Sequence, residues 1–102
     1  MQGASGVGIG NFEEIGPLDT HLRPRNSTWL QKEHLLFVDS PVGTCFSYVE
    51  NHRLAVTSDR KAAKDLLTFL KKFLETNRDV QNNTPFIIGE SYGGKHVTIL
   101  GL

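Results

Sequence analysis

A single cysteine, Cys45, stands among 102 residues, which excludes an internal disulfide and any metal site built from several cysteines. It leaves the redox compartment open. An excess of charge of one sign is missing too, because eleven basic and eleven acidic residues cancel to a formal net charge of zero. The basic surplus that a phosphate backbone attracts is therefore not there, and nucleic acid is not an expected partner. No apolar run approaches the roughly 20 residues that span a bilayer, so no membrane span is expected. The first twenty residues hold neither a basic n-region nor an apolar h-region, and no signal peptide is expected in this chain. Internal repeats and low-complexity tracts are lacking as well. The length fits one domain with a modest core.

What is there begins with MQGASGVGIGN at residues 1–11. Glycine alternating with small residues frees the backbone and predicts a loop. HLLFVD at 34–39, stopped by Ser40 and Pro41, is a short apolar run that suits a buried parallel strand. PVGTCFSYV then starts as a turn, with Pro41 removing a donor and Gly43 permitting an unusual φ, and runs into irregular structure. Between Thr57 and Asn77 the apolar residues Ala62, Leu66, Phe69, Leu70, Phe73 and Leu74 recur at spacings of three and four. That period predicts an amphipathic helix, and Ser58 or Asp59 can cap its first turn. RDVQNNT reads as a polar loop, PFIIG at 85–89 as a second strand opened by Pro85, and SYGGKHVTILGL as the start of a further helix. Two strands joined by a crossover helix must be parallel. The expected fold class is α/β.

The second strand leads into GESYGG at 89–94. Gly89, Ser91 and Gly93 satisfy G-x-S-x-G, the nucleophile elbow, in which a strand turns sharply into a helix and presents a serine hydroxyl from a strained backbone. Side chains at the flanking positions are expected to collide across so tight a turn. A chance match somewhere in a chain of this length arises about 3% of the time at average glycine and serine usage, and the bracketing strand and helix favour the elbow further. The plainer alternative is a glycine-rich strand-to-helix turn with an ordinary serine. In an elbow, Ser91 is the nucleophile and the backbone N–H of Tyr92 one oxyanion donor. The hydroxyl still needs a base, and the base an orienting carboxylate. Only eleven residues follow Ser91, none of them Asp or Glu. His96, the sole histidine after Ser91, lies on a helix about 7.5 Å of rise and roughly 140° of rotation away, and is expected to point elsewhere. His21, His34 and His52 read as surface or strand-end histidines.

These residues resemble the serine carboxypeptidase family, whose elbow typically reads GESYGG or GESYAG. FEEIGPL at 12–18 is similar to that family's F-x-E-x-G-P segment, and LLFVDSPVGTCFSY at 35–48 to its strand and D-x-P-V-G-T-G-F-S-Y loop. With WL at 29–30, the similarity covers nearly the whole chain, and the wording NFEEIGPL and SYGGK is most like the retinoid-inducible branch. The resemblance implies a fragment of an α/β-hydrolase fold: parallel strands, a crossover helix and the elbow, without the N-terminal part of the domain or the C-terminal part with the triad Asp and His. It also implies a pair of glutamates that recognises a substrate's terminal carboxylate, here Glu14 and Glu90. Two carboxyl groups in contact share a proton, and the protonated member donates a hydrogen bond to the substrate. Read from the residues alone, Glu14 is a solvated loop residue and Glu90 packs at the elbow.

Departures from the family pattern are equally specific. Where the family has an N-G-G-P-G loop that supplies the second oxyanion donor, the chain opens MQGAS, with Met1 near the position of the second glycine. Cys45 stands where the loop usually has glycine; it reads as a small buried residue that the turn tolerates, or as a reactive thiol, which no neighbouring base in sequence favours. Ser40 replaces a frequent Asn or Gln. Asn26 and Asn82 head glycosylation sequons, which suits the secreted, vacuolar or lysosomal location that the resemblance implies. Trp29 is expected in core or lid packing. The implied activity is release of C-terminal residues from peptides through an acyl-enzyme, with no cofactor and no metal. The alternatives are a truncated, non-catalytic carboxypeptidase-like protein and a carboxypeptidase-like acyltransferase.

Overall fold

The computed structural model describes residues 5–101. The chain divides into two compact units, Met1–Asp39 and Ser40–Leu102, each with its own internal contacts.

In the first unit, the glycine-rich stretch expected to be a loop forms a π-helix over Gly6–Ile15. The Ser5 carbonyl accepts from both Ile9 and Gly10, at 2.8 and 3.2 Å, and the second of these is the wide i to i−5 turn. Glycine's freedom permits such a turn as readily as a loop, and side chains decide between them. The Ser5 hydroxyl accepts from the Gly8 N–H at 2.8 Å and donates to the Asp39 carboxylate at 2.9 Å. Asp39 also accepts from the Val7 N–H at 3.4 Å and is 7% exposed. A buried acceptor thus gathers donors from the first turn, where backbone N–H groups have no partner within the helix. At the other end, the Arg25 guanidinium donates to the carbonyls of Phe12 and Glu14, and the Thr28 hydroxyl to that of Ile15. Gly16 then closes the turn. A Cβ there would collide with the Asn11 carbonyl and its Oδ1, so only glycine fits.

Beyond it, a Leu18–Pro24 bridge frames a tight loop around Asp19. The Asp19 carboxylate accepts from the His21 and Arg23 amides at 2.8 and 3.0 Å and from the Arg23 guanidinium at 3.0 Å. Trp29 opens a short 3-10 turn, Trp29–Gln31, and is 48% exposed, so it does not pack in a core of its unit as expected.

In the second unit, α1 spans Asp59–Thr76 within the predicted window. Ser58 caps it, accepting from the Lys61 N–H at 3.3 Å, and Asn77 closes it with backbone and side-chain donors on the Phe73 carbonyl at 2.9 and 2.8 Å. The polar loop that follows contains a 3-10 turn, Arg78–Val80. The shorter α2, Gly93–Leu100, lies against α1. Among the described residues the buried apolar side chains are Ala62 and Ala63 of α1, and Phe69 on the same helix stays exposed. At about 0.8 kcal/mol per buried methyl-sized group, two alanines are a small core.

The two predicted strands are a correction. Residues 34–39 and 85–89 carry no strand, and no ladder forms among the described residues. A strand exists by pairing its N–H and C=O groups with a neighbour, and an apolar run cannot supply one. Phe86, Ile87 and Ile88 stay exposed as a result, Phe86 at 83%. The Pro41 turn follows its expectation: Gly43 has φ 87°, and its N–H donates to the Ser47 carbonyl at 2.8 Å.

The Asp19 loop yields a pH prediction. Its carboxyl is held below its ordinary 3.8, first by the Arg23 amide, then, against the opposing pull of desolvation, by the His21 amide and the Arg23 guanidinium. A depressed value means that ionised Asp19 steadies the loop above pH 3.8 and that this contribution is lost as pH falls through the folded midpoint. Carbon-13 detected titration should give Asp19 a lower midpoint than in an unfolded peptide of the same sequence. An equal midpoint would refute the reading of this loop.

Candidate active site

The segment 89–94 connects residues 85–88 to α2, and its geometry follows from glycine at one end. A Cβ on Gly89 would lie 2.6 Å from the carbonyl carbon and oxygen of Gly93 and 2.7 Å from the Val97 side chain. Nothing larger than hydrogen fits. Gly93 differs: a Cβ there meets nothing within 4 Å. The expected collision therefore holds at one flanking position and not at the other, because the turn crowds its first residue against the incoming helix while the second faces open space. That agrees with the alanine that GESYAG places at the same point.

Ser91 sits inside this turn with φ 51° and an exposed side chain. A positive φ in a non-glycine residue is uncommon, costs on the order of 1–3 kcal/mol, and concentrates at functional sites. The turn continues into α2 through Gly93 N–H to Glu90 C=O at 2.8 Å, Gly94 N–H to Ser91 C=O at 3.2 Å and Lys95 N–H to Tyr92 C=O at 3.1 Å. Tyr92, the residue before the helix, provides no side-chain cap. Its hydroxyl instead donates to Asp59 Oδ1 at 2.7 Å. That hydrogen bond, then desolvation, then the Asp59 charge, raise the Tyr92 phenol above its ordinary 10.0. Lys95 Nζ lies 4.6 Å above the Tyr92 ring.

His96 is 1% exposed. Its Nδ1 is 3.3 Å from the Ser40 hydroxyl, its Nε2 3.9 Å from Asp59 Oδ1 and without a hydrogen-bond partner, and its ring meets Tyr92 edge-on at 5.7 Å. The imidazole is thus engaged with Ser40, Asp59 and Tyr92. Sequence reasoning had Asp59 only as an alternative helix cap and Ser40 only as a departure from a family pattern. The one signal for this cluster was the i, i+4 spacing of Tyr92 and His96, which puts both on one face of α2.

Glu90 is exposed beside Ser91 in the second unit, and Glu14 is exposed within the π-helix of the first, not in a loop. His21, His34 and His52 are exposed, as are Asn26 and Asn82. Cys45 corrects the reading of a small buried residue: it is exposed and holds φ 45°. The backbone there holds the left-handed conformation that glycine favours. Met1 and the altered N-G-G-P-G stretch around it lie outside the described residues in part, since description begins at Ser5. A depression of about 380 Å³ in the first unit, lined by residues including Ile9, Phe12 and Leu22, contains none of the candidate catalytic residues. No group of three or more His, Cys, Asp and Glu among the described residues has the placement of a metal site.

Comparison with known proteins adds an independent line. A family profile described as serine carboxypeptidase matches residues 3–101. Serine carboxypeptidase-like 51 of Arabidopsis thaliana is 57% identical over 98% of this chain and 22% of its own length. The retinoid-inducible serine carboxypeptidases of Mus musculus and Homo sapiens are 52% and 48% identical over 91% and 98% of this chain, and 21% and 22% of their own lengths. The chain thus spans about a fifth of the curated relatives it matches. No solved structure matches it.

The two glycines make a paired prediction. Gly89→Ala should destabilise the chain by about 1–3 kcal/mol through overpacking, whereas Gly93→Ala, inside α2, should be neutral or stabilising by up to about 1 kcal/mol. Urea unfolding midpoints decide it, and equal shifts for both variants would contradict this geometry.

Proposed function

The chain belongs to the serine carboxypeptidase family, and from that premise we propose that it carries the nucleophile of a serine-type carboxypeptidase, Ser91. The observation that carries the reading is a serine at φ 51° between glycines, in G-E-S-Y-G-G, ahead of a helix. Ser91 Oγ would attack the carbonyl carbon of a peptide's last bond as its proton passes to a histidine base. The Tyr92 N–H would donate to the oxyanion. Collapse of the tetrahedral intermediate breaks the C–N bond and releases the C-terminal amino acid, whose amine takes the proton. Water then hydrolyses the Ser91 ester and regenerates the hydroxyl.

We assign the base and its orienting acid to the part of the family domain that this chain does not span. His96 does not suit the task, since its ring is buried against Ser40 and Tyr92. The α/β-hydrolase fold is proposed for that complete domain. Residues 34–39 and 85–89 would then be parallel strands of that domain's sheet, a reading supported by their apolar composition and by the exposure of Phe86 and Ile88. Glu14 and Glu90 would take the family's role in recognising the terminal carboxylate, one of them as the protonated donor.

Fluorophosphonate labelling tests the nucleophile. A domain of full family length carrying this segment should be labelled at Ser91 and lose the label in Ser91→Ala, while the 102-residue chain, folded by near-ultraviolet dichroism, should stay unlabelled. Label on a different residue of the longer domain overturns the assignment. Hydrolysis of a blocked dipeptide by the 102-residue chain, lost in Ser91→Ala, overturns the placement of the base elsewhere.

The glutamates are tested by pH. Affinity of the longer domain for a blocked amino acid with a free carboxylate should fall as pH rises and the shared proton is lost. Glu90→Gln, a permanent donor, should flatten that dependence; an unchanged pH profile refutes the pair.

A further inference from the structure

Resting on Ser91 as the nucleophile, we propose that Asp59 is a positioning residue for the elbow, holding the Ser91 turn in place through the hydroxyl of Tyr92. The oxyanion donor assigned to this site is the N–H of Tyr92, and the strained residue is its immediate neighbour. Whatever anchors the Tyr92 side chain therefore anchors both.

The anchor is built from a rigid element. Asp59 is the first residue of α1, whose start is fixed by the Ser58 cap, and a carboxylate there is favoured by the helix dipole. Its Oδ1 accepts from the Tyr92 hydroxyl at 2.7 Å, the length of a charge-assisted bond. The phenol ring has little freedom to leave. His96 stands edge-on to it at 5.7 Å with an interplanar angle of 77°, and Lys95 Nζ lies 4.6 Å over its face. His96 in turn is fully buried and tied by Nδ1 to the Ser40 hydroxyl at 3.3 Å. Its Nε2 points toward Asp59 at 3.9 Å, beyond hydrogen-bond length, which leaves Oδ1 to Tyr92.

Among the described residues, no other hydrogen bond joins the turn to α1. No side chain caps the start of α2, and the turn's own backbone bonds join residues 90–95 to one another rather than to α1. The Tyr92–Asp59 bond links the elbow to the neighbouring helix by way of a residue adjacent to Ser91. Removing it should let the left-handed turn at Ser91 relax without unfolding α1, because the Ser58 cap and the buried Ala62 and Ala63 are not part of the bond.

Amide hydrogen exchange of the full chain tests this with no substrate present. In Tyr92→Phe and in Asp59→Ala, the Gly93 and Gly94 amides, which bond to Glu90 and Ser91 carbonyls, should exchange about tenfold faster, the effect of losing one hydrogen bond to a charged group, with α1 amides unchanged. Asp59→Asn keeps an acceptor oxygen and should restore protection. The Tyr92 phenol should titrate lower in Asp59→Ala than in the parent. Unchanged exchange at Gly93 and Gly94, uniformly fast exchange in every variant, or failure of Asp59→Asn to rescue overturns the proposal. A Ser91 that never reacts with fluorophosphonate while these exchange differences persist overturns the catalytic reading alone.

Discussion

Between Gly89 and Gly93 the chain reverses at such close quarters that a Cβ on Gly89 would come 2.6 Å from the Gly93 carbonyl. Each feature from 89 to 96 depends on that approach. Within it Ser91 holds the left-handed region at φ 51°, and the chain enters α2 with Tyr92 and His96 on one face. The strain has to be offset by interactions that exist only in the folded state. Three backbone bonds within the turn and the 2.7 Å bond from Tyr92 to Asp59 are among them.

The first unit solves a comparable problem by other means. Its π-helix leaves N–H and C=O groups unpaired at both ends, and each end is met by side chains from later in the sequence: Asp39 for the donors, Arg25 and Thr28 for the acceptors. Neither unit rests on a large apolar interior. With Ala62 and Ala63 as the buried apolar side chains among the described residues, hydrogen bonds and caps carry an unusual share of the order, whereas burial normally dominates folding. The exposed apolar residues 86–88 accompany the missing ladder. Neither 34–39 nor 85–89 is paired in a ladder among the described residues.

Some of this was legible in the residues. The three- and four-residue spacing from Ala62 to Leu74 sufficed for α1, and a serine ahead of it sufficed for the cap, because both are properties of one helix and its first turn. The position of the tight turn and the need for glycine at 89 followed from a local steric rule. Gly93 escaped the same rule because the space beside it depends on where α2 goes. Glycines 6, 8 and 10 suggested a loop and form a helix instead, since the Ser5–Asp39 contact that organises them spans 34 residues. Cys45 shows a local failure of another kind: its residue type suggested burial, and it is exposed at a positive φ.

By itself, then, the sequence determined what short-range sterics and periodicity control: a helix with its cap, a turn that admits only glycine at its first position, and a wording that declares a family. Tertiary structure alone decided which groups meet. That Asp59 accepts from Tyr92, that His96 is buried against Ser40, and that Asp39 gathers the start of the π-helix are contacts between residues 33, 56 and 34 positions apart. No propensity or spacing encodes them, because a hydrogen bond is set by where two atoms end up, and that is fixed only when the whole path of chain between them has folded.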